Sequence, residues 1–441
     1  MKKHTYIIVL MMALTSCSHI SWTESENCPQ IFPDYVGVTV PKDMAPLNFR
    51  MADGTRFTRK SELRGDTLFI SVSSYDRKAG TGTHYKEFPI YLSDDAIDPY
   101  IAYRLIEPGY ESWNNMGIYQ RELSSFRETA IVTNEANGHG CVNCHSFSSG
   151  DPDKFIFHAR GAGGGTVFVD GDSIRLQNLA ATGPKKQGVY PSWHPGGRWI
   201  AFSSNSTQQS FTLNSTQPVE VYDHSSDIIL VDSESGEVRT PSQLSGTPQM
   251  ETFPSWSPDG RTLYYCCADS TADVALNRGN IHYALMAIDF NDGEFTGEPR
   301  TIWQSDSLSA SFPRVNGDKL LFTVSAFATF PIWHKEADLW MLDLTTGEAG
   351  IAGNINSDDT ESYHSWSSNG RWLLFSSRRL DGRYTRLYIA HYDGEGHFDK
   401  PFLLPQKNPD FNTLRLKSYN VPEFVSGKVG DRTKQIGRLF Q

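Results

Sequence analysis

Apolar positions in this chain fall mostly in short runs of period two, cut by glycine, proline, asparagine or aspartate. That pattern predicts strands joined by tight turns. Val36-Gly37-Val38-Thr39-Val40, Thr67-Leu68-Phe69-Ile70-Ser71-Val72 and Glu87-Phe88-Pro89-Ile90-Tyr91-Leu92 read as three such strands. Residues 29–110 are therefore expected to form a small N-terminal β-domain. Between Tyr110 and Glu128 the spacing changes. Ile118, Leu123 and Phe126 are apolar while Gln120, Arg121 and Glu122 are polar, which predicts a partly helical linker over 111–150. Phe155-Ile156-Phe157-His158-Ala159-Arg160 returns to a strand, with His158 and Arg160 on one face and Phe157 on the other.

From residue 190 the chain repeats itself. Tyr190-Pro191-Ser192-Trp193 opens one unit and Phe253-Pro254-Ser255-Trp256 the next. Phe312-Pro313-Arg314-Val315 opens a degenerate third, and Tyr363-His364-Ser365-Trp366 a fourth. Pro191, Pro254, Pro313 and His364 stand 63, 59 and 51 residues apart. After each comes turn chemistry such as Ser257-Pro258-Asp259-Gly260, where Pro presets φ and Gly accepts a positive φ, and then an apolar strand. An apolar strand ending in Asp with Gly four residues on follows at Asp232/Gly236, Asp289/Gly293 and Asp343/Gly347, and more weakly at Asp170 and His391. Short strands at this period predict an all-β fold, a β-propeller over 151–425 with five clear blades. Tyr419 to Phe424 is a candidate closing strand, and 426–441 a tail.

The strongest chemical signal is Gly138-His139-Gly140-Cys141-Val142-Asn143-Cys144-His145. Cys-x-x-Cys-His is the sequence form of c-type haem attachment. Two thiols three positions apart can each add to one vinyl group of a porphyrin, and the next residue can ligate the iron. Cys141 and Cys144 are thus candidate attachment residues and His145 the candidate axial ligand. His158 or Met116 is a candidate sixth ligand, and Arg160 a candidate partner for a haem propionate. The alternative is a structural Cys-x-x-Cys, as a disulfide or as free thiols. Zinc is disfavoured, because the other paired cysteines, Cys266 and Cys267, are adjacent and lack knuckle spacing.

The first residues are Met1-Lys2-Lys3-His4, followed by an apolar stretch from Thr5 to Leu14 and then Thr15-Ser16-Cys17. A basic start and a short apolar run read as an export signal over 1–16. Leu14-Thr15-Ser16-Cys17 resembles the bacterial lipobox, which implies lipidation of Cys17 and a tether over 17–28. Ser18, rather than Asp, after that cysteine favours the outer membrane. Acyl chains would then hold the protein at a membrane. Loss of Lys2 and Lys3 would take the net charge from −11 to −13. An acidic surface disfavours nucleic acid, whose phosphates need clustered Lys and Arg.

The repeats resemble the propeller units of TolB-like proteins, whose signature is Trp-Ser-Pro-Asp-Gly-Arg or -Lys. The match is close from Trp256 to Arg261, partial at Trp193 and Trp366, and poor at Val315. Together with the lipobox and Cys-Val-Asn-Cys-His-Ser-Phe, the chain resembles a group of envelope lipoproteins described as TolB-like or cytochrome-related. That resemblance implies six blades.

Other sites find little support. Gly161-Ala162-Gly163-Gly164-Gly165-Thr166 is followed by a strand pattern, which suits a glycine hairpin better than a dinucleotide site. No Gly-x-Ser-x-Gly elbow occurs. Asn205-Ser206-Thr207-Gln208-Gln209 reads as a solvated loop rather than a face of the propeller funnel. The expected function is an envelope lipoprotein carrying covalent haem c, for electron transfer or redox sensing, with the propeller docking an envelope or redox partner. The alternatives are a non-catalytic propeller that binds a protein or glycan, and, last, a glycan-active hydrolase or lyase.

Overall fold

A computed structural model describes residues 20–441 except 108–114, 162, 183–187, 212, 214–216, 218 and 272. The signal segment 1–16, Cys17 and Tyr110 to Asn114 therefore lie outside the described residues.

Six four-stranded antiparallel sheets make a six-bladed β-propeller. In blade 2 the strands run, from the inside out, Val142–Phe147, Lys154–Ala159, Gly165–Asp170 and Ser173–Gln177. The innermost strands of blades 3 to 6 are Val189–Trp193, Gln249–Trp256, Ser309–Asn316 and Glu361–Trp366. Blade 1 is composite. Tyr100–Ile106, Gly117–Glu122 and Glu128–Thr133 come from the start of the ring, and Ser418–Val425 from the end of the chain supplies the innermost strand. The expected closing strand is thus in place.

Two boundaries differ from the sequence reading. The propeller starts at Tyr100, not 151, and the segment expected to be partly helical holds the strand Gly117–Glu122. The cause is burial of polar residues. Gln120 bonds Val429 through both amide ends at 2.9 and 2.8 Å. Arg121 donates to Pro405 O at 2.6 Å and Gln406 Oε1 at 3.1 Å. Side chains that read as a solvated helix face are therefore a satisfied polar core between blade 1 and the C-terminal segment.

Each seam between blades is a separate apolar core. Ile156, Phe168, Trp193, Ile200 and Phe202 pack blade 2 on blade 3; Leu321, Leu339, Leu373 and Phe375 pack blade 5 on blade 6. The repeat tryptophans stitch the same seams, Trp193 Nε1 donating to Ser146 O and Trp256 Nε1 to Ser192 O, both at 3.1 Å. The turns interlock as well. His194 Nε2 donates to Gly260 O at 3.1 Å, and Asn316 Nδ2 to Gly370 O at 2.8 Å. Gly260 has φ +71°, and a Cβ there would run into the His194 ring. Gly260→Ala should therefore cost about 2 kcal/mol, from the left-handed backbone and the clash together; thermal unfolding of the variant is the check.

The N-terminal part is a six-stranded sheet that includes Thr39–Pro41, Thr67–Asp76 and Phe88–Ser93. Its Val40, Phe49, Ile70 and Phe88 share one core with Ile101 and Tyr103 of blade 1 and Trp372 and Phe402 of blade 6. It therefore covers the seam where the ring closes.

Candidate functional site

The site is built from one backbone irregularity repeated in every blade. Each innermost strand carries a bulge, and at each bulge a non-glycine residue has a positive φ. These residues are Cys144, Tyr190, Phe253, Phe312, Tyr363 and Val421, with φ between 46° and 52°. A left-handed residue costs about 1–2 kcal/mol, so six of them record a shared demand of the architecture. All six line one axial cavity.

That alignment recasts the Cys-x-x-Cys-His motif. Cys144-His145-Ser146-Phe147 is the blade-2 copy of Tyr190-Pro191-Ser192-Trp193. The motif lies in an innermost strand and not in a linker. His145 stands where Pro191, Pro254, Pro313, His364 and Pro422 stand in the other blades.

The ring is lopsided. Tyr190, Phe253, Phe312 and Tyr363 form a chain of aromatic contacts, with centroids 4.5 Å (Tyr190–Phe253), 4.0 Å (Phe253–Phe312) and 4.9 Å (Phe312–Tyr363) apart. Blades 1 and 2, which are neighbours, place the smaller Val421 and Cys144 there. The space left is a cavity of about 360 Å³, within the 300–1,000 Å³ usual for small-molecule sites. Cys141, Cys144, His145, Met116 and Arg160 all line it. His158 is not among the lining residues. Its ring is hydrogen-bonded to Thr166 Oγ1 at 3.3 Å within blade 2, so this sixth-ligand candidate is not brought to the site.

His145 is 2% exposed, and neither ring nitrogen makes a hydrogen bond of ordinary geometry. Burial, aided by Arg104, pushes its pKa down to about 3 against a weak backbone contact with Val421. The imidazole is therefore neutral, the form that ligates metal. Its counterpart His364, also neutral, donates from Nε2 to Leu321 O at 3.0 Å. Only the histidine beside the two cysteines lacks that partner. Burial raises the Cys144 thiol, opposed by the Tyr190 backbone, Arg160 and Arg104. Cys141 and Cys144 are free thiols, and among the described residues no three His, Cys, Asp or Glu side chains converge enough to hold a metal ion alone.

Sequence reasoning missed Arg104, Arg314, Arg378 and Glu423, which also line the cavity. Half-buried Glu423 accepts from Phe147 N at 3.0 Å, and desolvation raises its pKa to about 7 against Arg314 and that bond. The register of the six bulges was the available signal for the cavity; nothing local marks the arginines. The polar run at Asn205–Gln209 is also not a loop. It lies in the long strand Trp199–Phe211, whose Thr207 and Gln209 line the cavity together with Val219 and Val221 of the paired strand Val219–Asp232. This hairpin reaches from blade 3 to blade 5, where Glu220 meets His334 at 3.2 Å.

No family model matches this sequence, and no curated protein matches it. Among solved structures, the chain is similar to TolB from Acinetobacter baumannii, at 14% identity over 84% of this chain and 83% of that one, TM-score 0.48. It is similar to oligogalacturonate lyase from Vibrio parahaemolyticus, at 11% identity over 80% and 85% of the two chains, TM-score 0.40. It also resembles prolyl oligopeptidase B from Galerina marginata, at 9% identity over 79% of this chain but 44% of that one, TM-score 0.39.

Proposed function

We propose that this chain is a lipid-anchored envelope propeller that carries a covalently attached c-type haem in its axial cavity. One observation carries the reading: a buried, neutral, unpartnered imidazole shares a cavity with two free thiols in Cys-x-x-Cys-His order. An orphaned buried polar group calls for a missing partner. Cys141 and Cys144 would hold the porphyrin as thioethers, and His145 and Met116, which also line the cavity, would be the side chains available to its iron. When bound, such a group supplies one-electron chemistry. The protein's own part is to keep His145 neutral, to wall the site with Tyr190, Phe253 and Tyr363, and to limit access of water. Cys17 would anchor the chain, which places the propeller at a membrane surface where its faces can meet a redox or envelope partner. Among the described residues no helix is long and apolar enough to cross a membrane.

The test is expression of the full chain in a host with a cytochrome c maturation system. The expected product is a coloured protein whose stain survives a denaturing gel. Its mass should equal the lipidated chain from Cys17 plus one haem. Cys141→Ser with Cys144→Ser should abolish the stain. A colourless product with the mass of the lipidated chain alone overturns the haem. A second reading would then stand, in which the propeller binds a partner without haem. The repeat register favours it, since Cys144-His145-Ser146-Phe147 already has a structural place in blade 2.

A further inference from the structure

The axial cavity carries more positive charge than it neutralises. Arg104, Arg160, Arg314 and Arg378 line it together with two acids, Glu107 and Glu423. Both acids are already engaged. Glu107 lies 3.5 Å from Lys417 Nζ, and Glu423 faces Arg314 while accepting from Phe147 N. Among the described residues Arg104, Arg160 and Arg378 make no ion pair with any carboxylate.

Arg378 is the sharpest case. It is 3% exposed, and its Nε and one Nη find no acceptor. Its guanidinium carbon lies 3.1 Å from the centre of the Trp333 ring, which orients the plane but supplies no acceptor atom. Asp359 and Asp381 act on it only at a distance. Arg104 has an orphaned Nε and lies close enough to Cys144, His145 and Tyr363 to affect all three electrostatically. Arg378 also acts on Tyr363, so that residue links the two arginines. Burying an unpaired guanidinium is costly, and folding tolerates it where an anion completes the site. A guanidinium offers paired donors that match a carboxylate.

We propose that the axial cavity binds a carboxylate-bearing ligand, with Arg104, Arg160 and Arg378 taking its carboxylates. The carboxylates could be the propionates of the haem read above, and in that arm the inference rests on that reading. They could equally belong to a free small acid, for which no haem is needed.

The experiment uses the full chain with Cys141→Ser and Cys144→Ser, which cannot attach a porphyrin. It is titrated with haemin and with haemin dimethyl ester by Soret absorbance, and with citrate by calorimetry. Haemin is expected to bind at least about tenfold more tightly than its ester. Arg104→Gln with Arg378→Gln should erase that preference, which assigns the site to propionates. Citrate binding that the same arginine changes remove by about tenfold or more assigns it to a free acid. If the combined variant fails to fold by circular dichroism, the two single changes serve with the same readouts. Equal binding of haemin and its ester together with citrate binding that ignores the arginines overturns the proposal. So does the absence of binding by every probe. Staining of the unsubstituted chain reports the thioether haem separately, so either idea can fail without the other.

Discussion

A chain ending at residue 417 should not form a stable monomeric propeller. Ser418–Val425 is the innermost strand of blade 1, paired with Tyr100–Ile106 from Ser418 opposite Ile106 to Val425 opposite Tyr100. Removing 418–441 exposes that strand's edge and uncovers the seams on both sides. It also deletes five buried apolar side chains, Tyr419, Phe424, Val425, Val429 and Ile436. At about 2 kcal/mol each, the loss is about 10 kcal/mol, comparable to the whole stability of a typical domain. The N-terminal sheet cannot compensate, because its core reaches the seam partly through Tyr419 and Phe424. Gel filtration and thermal melting followed by circular dichroism are the measurements. Expected are aggregation or an expanded species and no cooperative transition. A monomer that melts within about 1 °C of the full chain, a shift worth roughly 1 kcal/mol for a chain of this length, would refute closure by this strand.

The second large effect is at the hairpin that covers the cavity. His334→Ala should destabilise the protein by about 3 kcal/mol, because it leaves Glu220 buried without its cation. Glu220 is 8% exposed and His334 1%. Burial alone would lower the His334 pKa, but hydrogen bonds to Glu220 and Glu336 outweigh it and raise it to about 9. His334 in turn lowers Glu336 to about 2. The raised histidine contributes its full stability below its free value of 6.5, and loses it as pH rises through about 9. The lowered Glu336 contributes above 4.5 and loses it as pH falls through about 2. The anchor is thus complete between those two free values and weakens on the alkaline side. Asp223, on the same hairpin, is raised by burial to about 6 against bonds from Thr207 and Asn205. Its contribution therefore fades between 3.8 and about 6. His334→Ala leaves that acid-side change in place, which separates the two groups. Amide exchange at 219–222, corrected for intrinsic rates, should be faster at pH 9.5 than at pH 6.5 in the parent. It should lose that dependence in His334→Ala. Equal protection in the parent at both values would remove the anchor.

The four later blades were legible because their turns need particular residues. Proline, aspartate and glycine at fixed offsets before an apolar strand leave little freedom in the sequence, as at Trp256 to Gly260. Blade 1 was not legible, and blade 2 only through its outer strands at Asp170, for two different reasons. Blade 1 draws its inner strand from the far end of the chain, so no local repeat exists to be seen. In blade 2 the repeat is present but disguised. Cys144 and His145 replace the aromatic and proline of the other copies, and their chemistry drew the reading toward a linker motif. Gln120 and Arg121 misled through polarity, because their partners Val429, Pro405 and Gln406 lie near the other terminus. The thiols, His145, Met116 and Arg160 could be singled out by chemical type, and all five reached one cavity. Arg104 and Arg378 could not. They belong to no motif and meet only because a ring closes.

Cys141 is almost completely covered in the finished ring, and the C-terminal strand Ser418–Val425 sets Val421 against the neighbouring His145. An enzyme that modifies a thiol has to touch it. Any thioether formed at Cys141 would therefore have to precede docking of the C-terminal segment. Were the proposed haem attached, its maturation would be a matter of timing, since a chain that shut too early would be sealed with Cys141 bare.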